Sequence, residues 1–210
     1  MRKIIQVFTI LCFIPILLFG STNRYSIKSG IIEYDILGED SISKDETVGA
    51  SKLFFKDFGN IELIDETTTY TNSKLQEEEQ ESERVIYKML KDKQYVVDFN
   101  DEIIYSQKIE LDEENSFLSI KNREAFIQMG AKFIGNEAIL GFNCEVWELG
   151  SYKTWVYKGI TLKQISKIDS KTQMIVARSA KFNIDIKDSN FKLPKFPIKA
   201  IDIIINQEED

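Results

Sequence analysis

Apolar and polar residues alternate along most of the chain, in short runs that charged or turn-forming clusters separate. Because successive side chains of a β-strand point to opposite faces, each run predicts a strand with one buried face. In the clearest run, 174–187, the apolar residues occupy even positions: Met174, Val176, Ala180, Phe182, Ile184 and Ile186. Nine other runs also predict strands: 27–37, 51–58, 61–70, 84–90, 94–99, 102–109, 142–149, 153–157 and 161–168.

The predicted strands are joined by short connections, which favours antiparallel neighbours because parallel strands need a crossover of a dozen or more residues. Five connections have the composition of hairpin turns: 58–60, 91–93, 100–101, 150–151 and 169–171. A sheet of this many strands with one apolar face must curl around something or close on itself. The sequence therefore predicts a mainly β fold, a curled antiparallel sheet that forms an unclosed β-barrel.

One segment, 122–134, has helical rather than β periodicity. Asn122 is a suitable N-cap and Gly135 a suitable stop. Five apolar residues form a helical stripe: Phe126, Ile127, Met129, Phe133 and Ile134. A single amphipathic helix has to bury this stripe, so we expect it to pack at the concave face of the curled sheet.

The first 20 residues have the three parts of a secretory signal peptide. Arg2 and Lys3 precede an apolar stretch, 4–19, and Gly20 and Ser21 supply small residues for cleavage. The apolar stretch continues beyond Cys12, so this cysteine is not expected to be a lipidation site. We therefore expect an exported, periplasmic protein with a single β-rich domain, 21–200. Residues 201–210 are expected to form an edge strand, 201–205, and a disordered acidic tail.

Charge and composition exclude several functions. Removal of residues 1–20 takes away two of the 27 basic residues and none of the 34 acidic ones, so the net charge changes from −7 to −9. Such a chain lacks the basic stripe of a nucleic-acid-binding protein. The sequence contains no His, the usual general base and zinc ligand. Cys144 alternates with Phe142 and Val146, which predicts a buried, inert thiol. We therefore expect no enzymatic activity, metal or cofactor, and we interpret the acidic segment 74–83 as a solvated loop.

Aromatic residues are the most informative feature of the predicted strands. In a filled β-sandwich they would simply form the core, whereas in a single curled sheet they would line an apolar cavity. The second interpretation selects eight candidate ligand-binding residues: Phe55, Tyr87, Tyr105, Phe126, Met129, Phe133, Trp147 and Trp155.

The C-terminal half also resembles a known group of proteins. The stretches 141–147 (GFNCEVW), 155–163 (WVYKGITLK) and 191–194 (FKLP) resemble exported bacterial proteins that are similar in layout to the LolA-like carriers of outer-membrane lipoproteins. The resemblance covers residues 141–194. It implies an unclosed antiparallel β-barrel with a helical lid, which encloses a hydrophobic cavity for lipid or for the acyl chains of a lipoprotein. No cargo-binding residue of those carriers matches a position here.

These observations lead to two hypotheses. In the first, the protein is a non-enzymatic periplasmic carrier or chaperone that binds lipid or lipoprotein acyl chains, contacts membranes only transiently and opens by movement of the helix 122–134. In the second, the same sheet has a solid core, binds no ligand and serves as a structural or interaction module whose partner is another envelope protein.

Overall fold

The computed structural model describes residues 23–71, 80–108 and 123–201. The predicted signal peptide therefore lies outside the described residues, as do the N-cap Asn122, most of the acidic segment 74–83 and the tail from residue 202 onward. Within the described part of the chain, residues 80–83 belong to a β-strand rather than to a loop.

The described residues form twelve β-strands and one α-helix. The strands are β1 (Gly30–Asp40), β2 (Glu46–Lys56), β3 (Ile61–Thr71), β4 (Gln80–Leu90), β5 (Lys93–Asp98), β6 (Ile103–Lys108), β7 (Lys132–Ile139), β8 (Phe142–Leu149), β9 (Tyr152–Tyr157), β10 (Ile160–Ile168), β11 (Lys171–Phe182) and β12 (Ile198–Ala200). The helix α1 spans Arg123–Gln128, and single turns of 3-10 helix occupy Asp57–Gly59 and Asp188–Phe191.

All twelve strands belong to one sheet, in the order β12-β6-β5-β4-β3-β2-β1-β11-β10-β9-β8-β7. Two antiparallel meanders, β1–β6 and β7–β11, are joined where β1 pairs with β11. The short strand β12 is parallel to β6. The sheet ends at β12 and β7 and does not close, so the predicted fold class, a mainly β unclosed sheet, is confirmed.

The sheet curls toward the face on which side chains from distant strands meet. The ring of Phe142 in β8 lies 5.1 Å from that of Phe182 in β11, although two strands separate them. The hydroxyl of Tyr34 in β1 likewise donates to the carbonyl of Thr161 in β10, at 2.9 Å. We call this side the inner face. It carries the largest buried cluster of the protein.

The outer face of β2–β6 is buried as well. Leu63, Ile86, Val97 and Ile104 project from it and form a second cluster with Ile186 and Phe191. The last two residues belong to the segment 183–197, which leaves the sheet after β11 and runs back across this face. Because the segment supplies its own apolar side chains, it covers the outer face of these strands.

The helix differs from the sequence prediction in length and position. It ends at Gln128, and Phe133 and Ile134 lie in β7. Gly130, with a φ of +78°, terminates the helix. The residues that follow it pair with β8 along the whole length of β7. Phe126 stacks on Trp147, which points away from the inner residue Val146, so α1 covers the outer face. In the described part of the chain, no helix has the length and apolarity needed to cross a bilayer.

The last long strand shows a second difference. Ile175 and Ala177 are buried on the inner face, followed there by the half-buried Ala180 and Phe182, so the inward positions are not even throughout. The pairing of β1 with β11 shifts between Glu33 and Tyr34, so that Arg178 is the extra residue of a β-bulge. The bulge reverses which positions face inward, and the strand ends at Phe182 rather than at Lys187.

Candidate functional site

One end of the inner face is densely packed with aromatic rings. Tyr25 lies edge-on to Phe55 at 4.8 Å between centroids, and Phe142 contacts Tyr157 at 5.0 Å. Phe182 touches both groups, at 6.5 Å from Phe55 and 5.8 Å from Tyr157. Phe55 has no exposed surface. These rings form a solid core rather than the wall of a cavity.

The segment that follows the predicted signal peptide closes this end. The backbone N–H groups of Tyr25 and Ser26 donate to the carbonyls of Phe58 and Lys158, at 3.0 and 3.1 Å. The Tyr25 hydroxyl donates to Glu62, and Arg24 Nη1 lies 3.6 Å from Glu62 Oε2. Because the Arg24 and Glu62 side chains are each only 3% exposed, this ion pair is inside the protein.

The inner face is less covered on the other side of the sheet. Strand register places Leu53, Ile64, Tyr87, Val96 and Tyr105 in one row across β2–β6. The first two are 5% and 4% exposed, whereas the last three are only half-buried. We call Tyr87, Val96 and Tyr105 the inner row. It is the part of the inner face where an apolar ligand can replace water without displacing packed core residues.

A row of carboxyl groups lies beside the inner row. Glu66 pairs in register with Ser51 on one side and Val85 on the other, and Val85 pairs with Asp98. Glu83 projects from the same face, opposite Thr68. Burial raises the pKa of Glu66 to about 7, the hydrogen bond with Ser51 opposes this shift, and the charge of Glu83 adds to it. Burial, followed by the charges of Glu66 and Glu83, also raises the pKa of Tyr87.

The elevated pKa of Glu66 predicts a stability that depends on pH. An unfolded Glu has a pKa near its ordinary value, so the folded state holds a proton that the unfolded state releases between about pH 4.5 and 7. The stability of the wild type should fall through this window. Glu66→Gln should remove the effect and stabilise the protein at pH 8 by on the order of 2 kcal/mol, with little change at pH 4. Urea unfolding of both proteins at the two pH values measures this difference, and equal stabilities at pH 8 would contradict it.

The structure divides the eight candidate ligand-binding residues between two faces. Phe55, Tyr87, Tyr105 and Trp155 belong to the inner face, and Phe126, Met129, Phe133 and Trp147 surround α1 on the outer face. No single cavity can be lined by all eight. Within the inner group, only Tyr87 and Tyr105 are in the half-buried row.

Trp155 illustrates the difference between a core residue and a ligand-binding one. It is 3% exposed, and its indole N–H donates to Glu137 Oε2 at 2.8 Å. Trp155→Ala would therefore disturb packing and leave the Glu137 carboxylate without this donor. The substitution would therefore not report on ligand binding alone.

Sequence analysis did not identify Val96 or the acidic row. In β5 the alternation separates Gln94, Val96 and Asp98 from Tyr95, Val97 and Phe99. The second set is more apolar, so a strand with only one buried face would be expected to bury Tyr95, Val97 and Phe99. In the structure that set faces the outer cluster, and the more polar set faces inward.

The described residues offer little for catalysis. Cys144 is fully buried, its thiol lies 3.4 Å from the Phe142 carbonyl, and burial raises its pKa, which confirms the prediction of a buried thiol. Among the described residues, no three Cys, Asp or Glu side chains are grouped so that they could hold a metal ion.

No protein-family model and no curated protein matches the sequence. Several solved structures align with this chain, all at low sequence identity and with low TM-scores. An uncharacterized conserved protein from Thermus thermophilus aligns with a TM-score of 0.47 and 7% identity, over 85% of this chain and 95% of that one. LprF from Mycobacterium bovis aligns with a TM-score of 0.34 and 8% identity, over 78% and 89% of the two chains.

A putative outer membrane lipoprotein-sorting protein domain from Vibrio parahaemolyticus aligns with a TM-score of 0.30 and 10% identity, over 80% of this chain and 91% of that one.

Proposed function

We propose that the protein is a non-enzymatic carrier or chaperone of the periplasm that binds the acyl chains of a lipid or a lipidated protein. The observation that carries the proposal is the inner row, in which Tyr87, Val96 and Tyr105 present half-buried apolar surface inside a curled sheet. The closed aromatic end fixes the curvature, so the surface exists before a ligand arrives.

An acyl chain suits this surface better than a polar ligand does. Each methylene group that leaves water contributes about 0.8 kcal/mol, without any need for matched hydrogen bonds. Glu66, Glu83 and Asp98 form a polar boundary along one side of the row. An acyl chain would therefore lie along Tyr87, Val96 and Tyr105 and avoid the carboxyl groups.

The opening mechanism differs from the one expected from the sequence. Because α1 packs on the outer face against Trp147 and Val156, its movement would not uncover the inner row. Access would instead come from the edge of the sheet formed by β6 and the short strand β12.

Native mass spectrometry of the protein, purified from the envelope without detergent, tests the proposal. A carrier should retain a fraction of molecules whose added mass matches a lipid, and organic extraction should release that lipid. If all molecules have the mass of the bare chain, the alternative is favoured. That alternative is an interaction module with a solid core, and the close packing around Phe55 and Phe182 is the observation that supports it.

A further inference from the structure

A row of lysines with an apolar centre crosses the outer face at one end of the sheet. Strand register aligns Lys56, Ile61, Leu90, Lys93 and Lys108 directly across β2–β6. These residues project from the outer face, because the neighbours Phe55 and Met89 point inward. Adjacent strands are about 4.8 Å apart, so the lysines flank Ile61 and Leu90 on both sides.

The segment 183–197 turns this row into a groove. The groove has a volume of about 480 Å³ and is lined by Lys56, Ile61, Lys88, Leu90, Asp188, Phe191, Lys192 and Leu193. Three lysines thus face one carboxylate, in a chain whose net charge is −7. The groove is a local positive site on a negative protein.

The lysine side chains of the groove can still bind an anion. Lys88 Nζ donates to the Phe191 carbonyl at 2.7 Å, and among the described residues no carboxylate lies within 4.0 Å of it. An ammonium group has three donors, and a neutral carbonyl satisfies one of them. Lys56 pairs with Asp188, whose side chain is 86% exposed. Lys56 can therefore exchange this carboxylate for another anion.

The apolar part of the groove is partly uncovered. Leu90 is 36% exposed, and Ile61 and Leu193 are half-buried beside it. Phe191, at 5% exposure, forms the floor. Cations around an accessible apolar centre match the interface of an anionic bilayer, where phosphate groups lie next to the first methylene groups.

We propose that this groove and the lysine row beside it dock the protein onto an anionic lipid surface. Lipid phosphates would lie against Lys56 and Lys88 in the groove and against Lys93 and Lys108 beside it, with Leu90 at the level of the first methylene groups. The groove lies on the face opposite the inner row. The contact therefore does not depend on the proposed cargo site, and it leaves that site free while the protein is at the membrane.

Vesicle cosedimentation of the mature chain tests this docking. Vesicles of phosphatidylcholine are compared with vesicles that also contain phosphatidylglycerol, and binding should require the anionic lipid and weaken with salt. Lys93→Glu combined with Lys108→Glu should reduce binding at least about 25-fold, since each basic residue at such a surface contributes roughly fivefold. Leu90→Ser should reduce it roughly fivefold, because it removes the apolar contact.

The matched control combines Lys167→Glu with Lys171→Glu. Both lysines are exposed and lie at the opposite end of the strands, and the net charge changes by the same amount. Docking through the groove predicts that the control retains binding within about threefold of the wild type. Equal losses in the two double variants, unchanged binding of Leu90→Ser, or binding of inorganic phosphate without vesicle binding would each overturn the proposal.

Discussion

Replacement of Phe55 with alanine should lower the free energy of unfolding by about 3 to 5 kcal/mol. Phe55 has no exposed surface and contacts Tyr25 and Phe182 at the closed end of the inner face. Because strands from both halves of the sheet surround it, the cavity left by the ring cannot collapse easily. Urea unfolding followed by the fluorescence of Trp147 and Trp155 measures the loss.

Phe133→Ala provides the control for this prediction. Phe133 is 41% exposed on the outer face, where it contacts Trp147 from the edge strand β7. Its truncation should cost no more than about 1 kcal/mol, as is usual for a partly exposed residue. If Phe55→Ala cost as little as Phe133→Ala, the inner face would not be packed as described.

Val96→Asp should weaken the binding of an acyl ligand by at least about tenfold. Val96 lies at the centre of the inner row, between Tyr87 and Tyr105 in register, and an acyl chain on this row would desolvate the new carboxylate. Since Val96 is only half-buried in the unliganded protein, the variant should remain folded. Titration with a fluorescent fatty acid measures the change.

Val48→Asp is the matched control for Val96→Asp. It makes the same chemical change on the outer face of β2, where Val48 is 49% exposed. Binding of the fatty acid should be unaffected. If both variants are folded and bind the fatty acid with equal affinity, the ligand does not bind on the inner row.

Strand alternation and turn composition were sufficient to predict most of the β-sheet. The predicted strand 142–149 coincides with β8, and all five predicted turns join antiparallel neighbours. These features are local, because each strand needs only its own period of two and each hairpin only a few turn residues.

The segments that sequence analysis misassigned depend on contacts between distant parts of the chain. Phe133 and Ile134 fit a helical stripe, but pairing with β8 holds them in β7. The bulge at Arg178 arises where β11 pairs with β1, which lies at the other end of the described chain, and it changes which side chains face inward.

The candidate site was harder to predict than the fold, because it depends on which face of each strand is covered. Residues 183–197 bury the outer face of β2–β6, so the apolar residues of β5 are used there. The residues of β5 that face inward are therefore mostly polar, and Val96 is the apolar residue among them, between Gln94 and Asp98. Alternation within one strand cannot reveal a cover that comes from the other end of the chain.

Photolabelling with a fatty acid that carries a diazirine in its chain tests directly whether the inner row binds acyl chains. After irradiation, peptide mass spectrometry identifies the residues that the acyl chain contacts. Labels are expected on Tyr87, Val96 and Tyr105, and a competing unlabelled fatty acid should suppress them. Labels confined to the outer groove around Leu90, or to the surface around Phe126 and Trp147, would contradict this expectation.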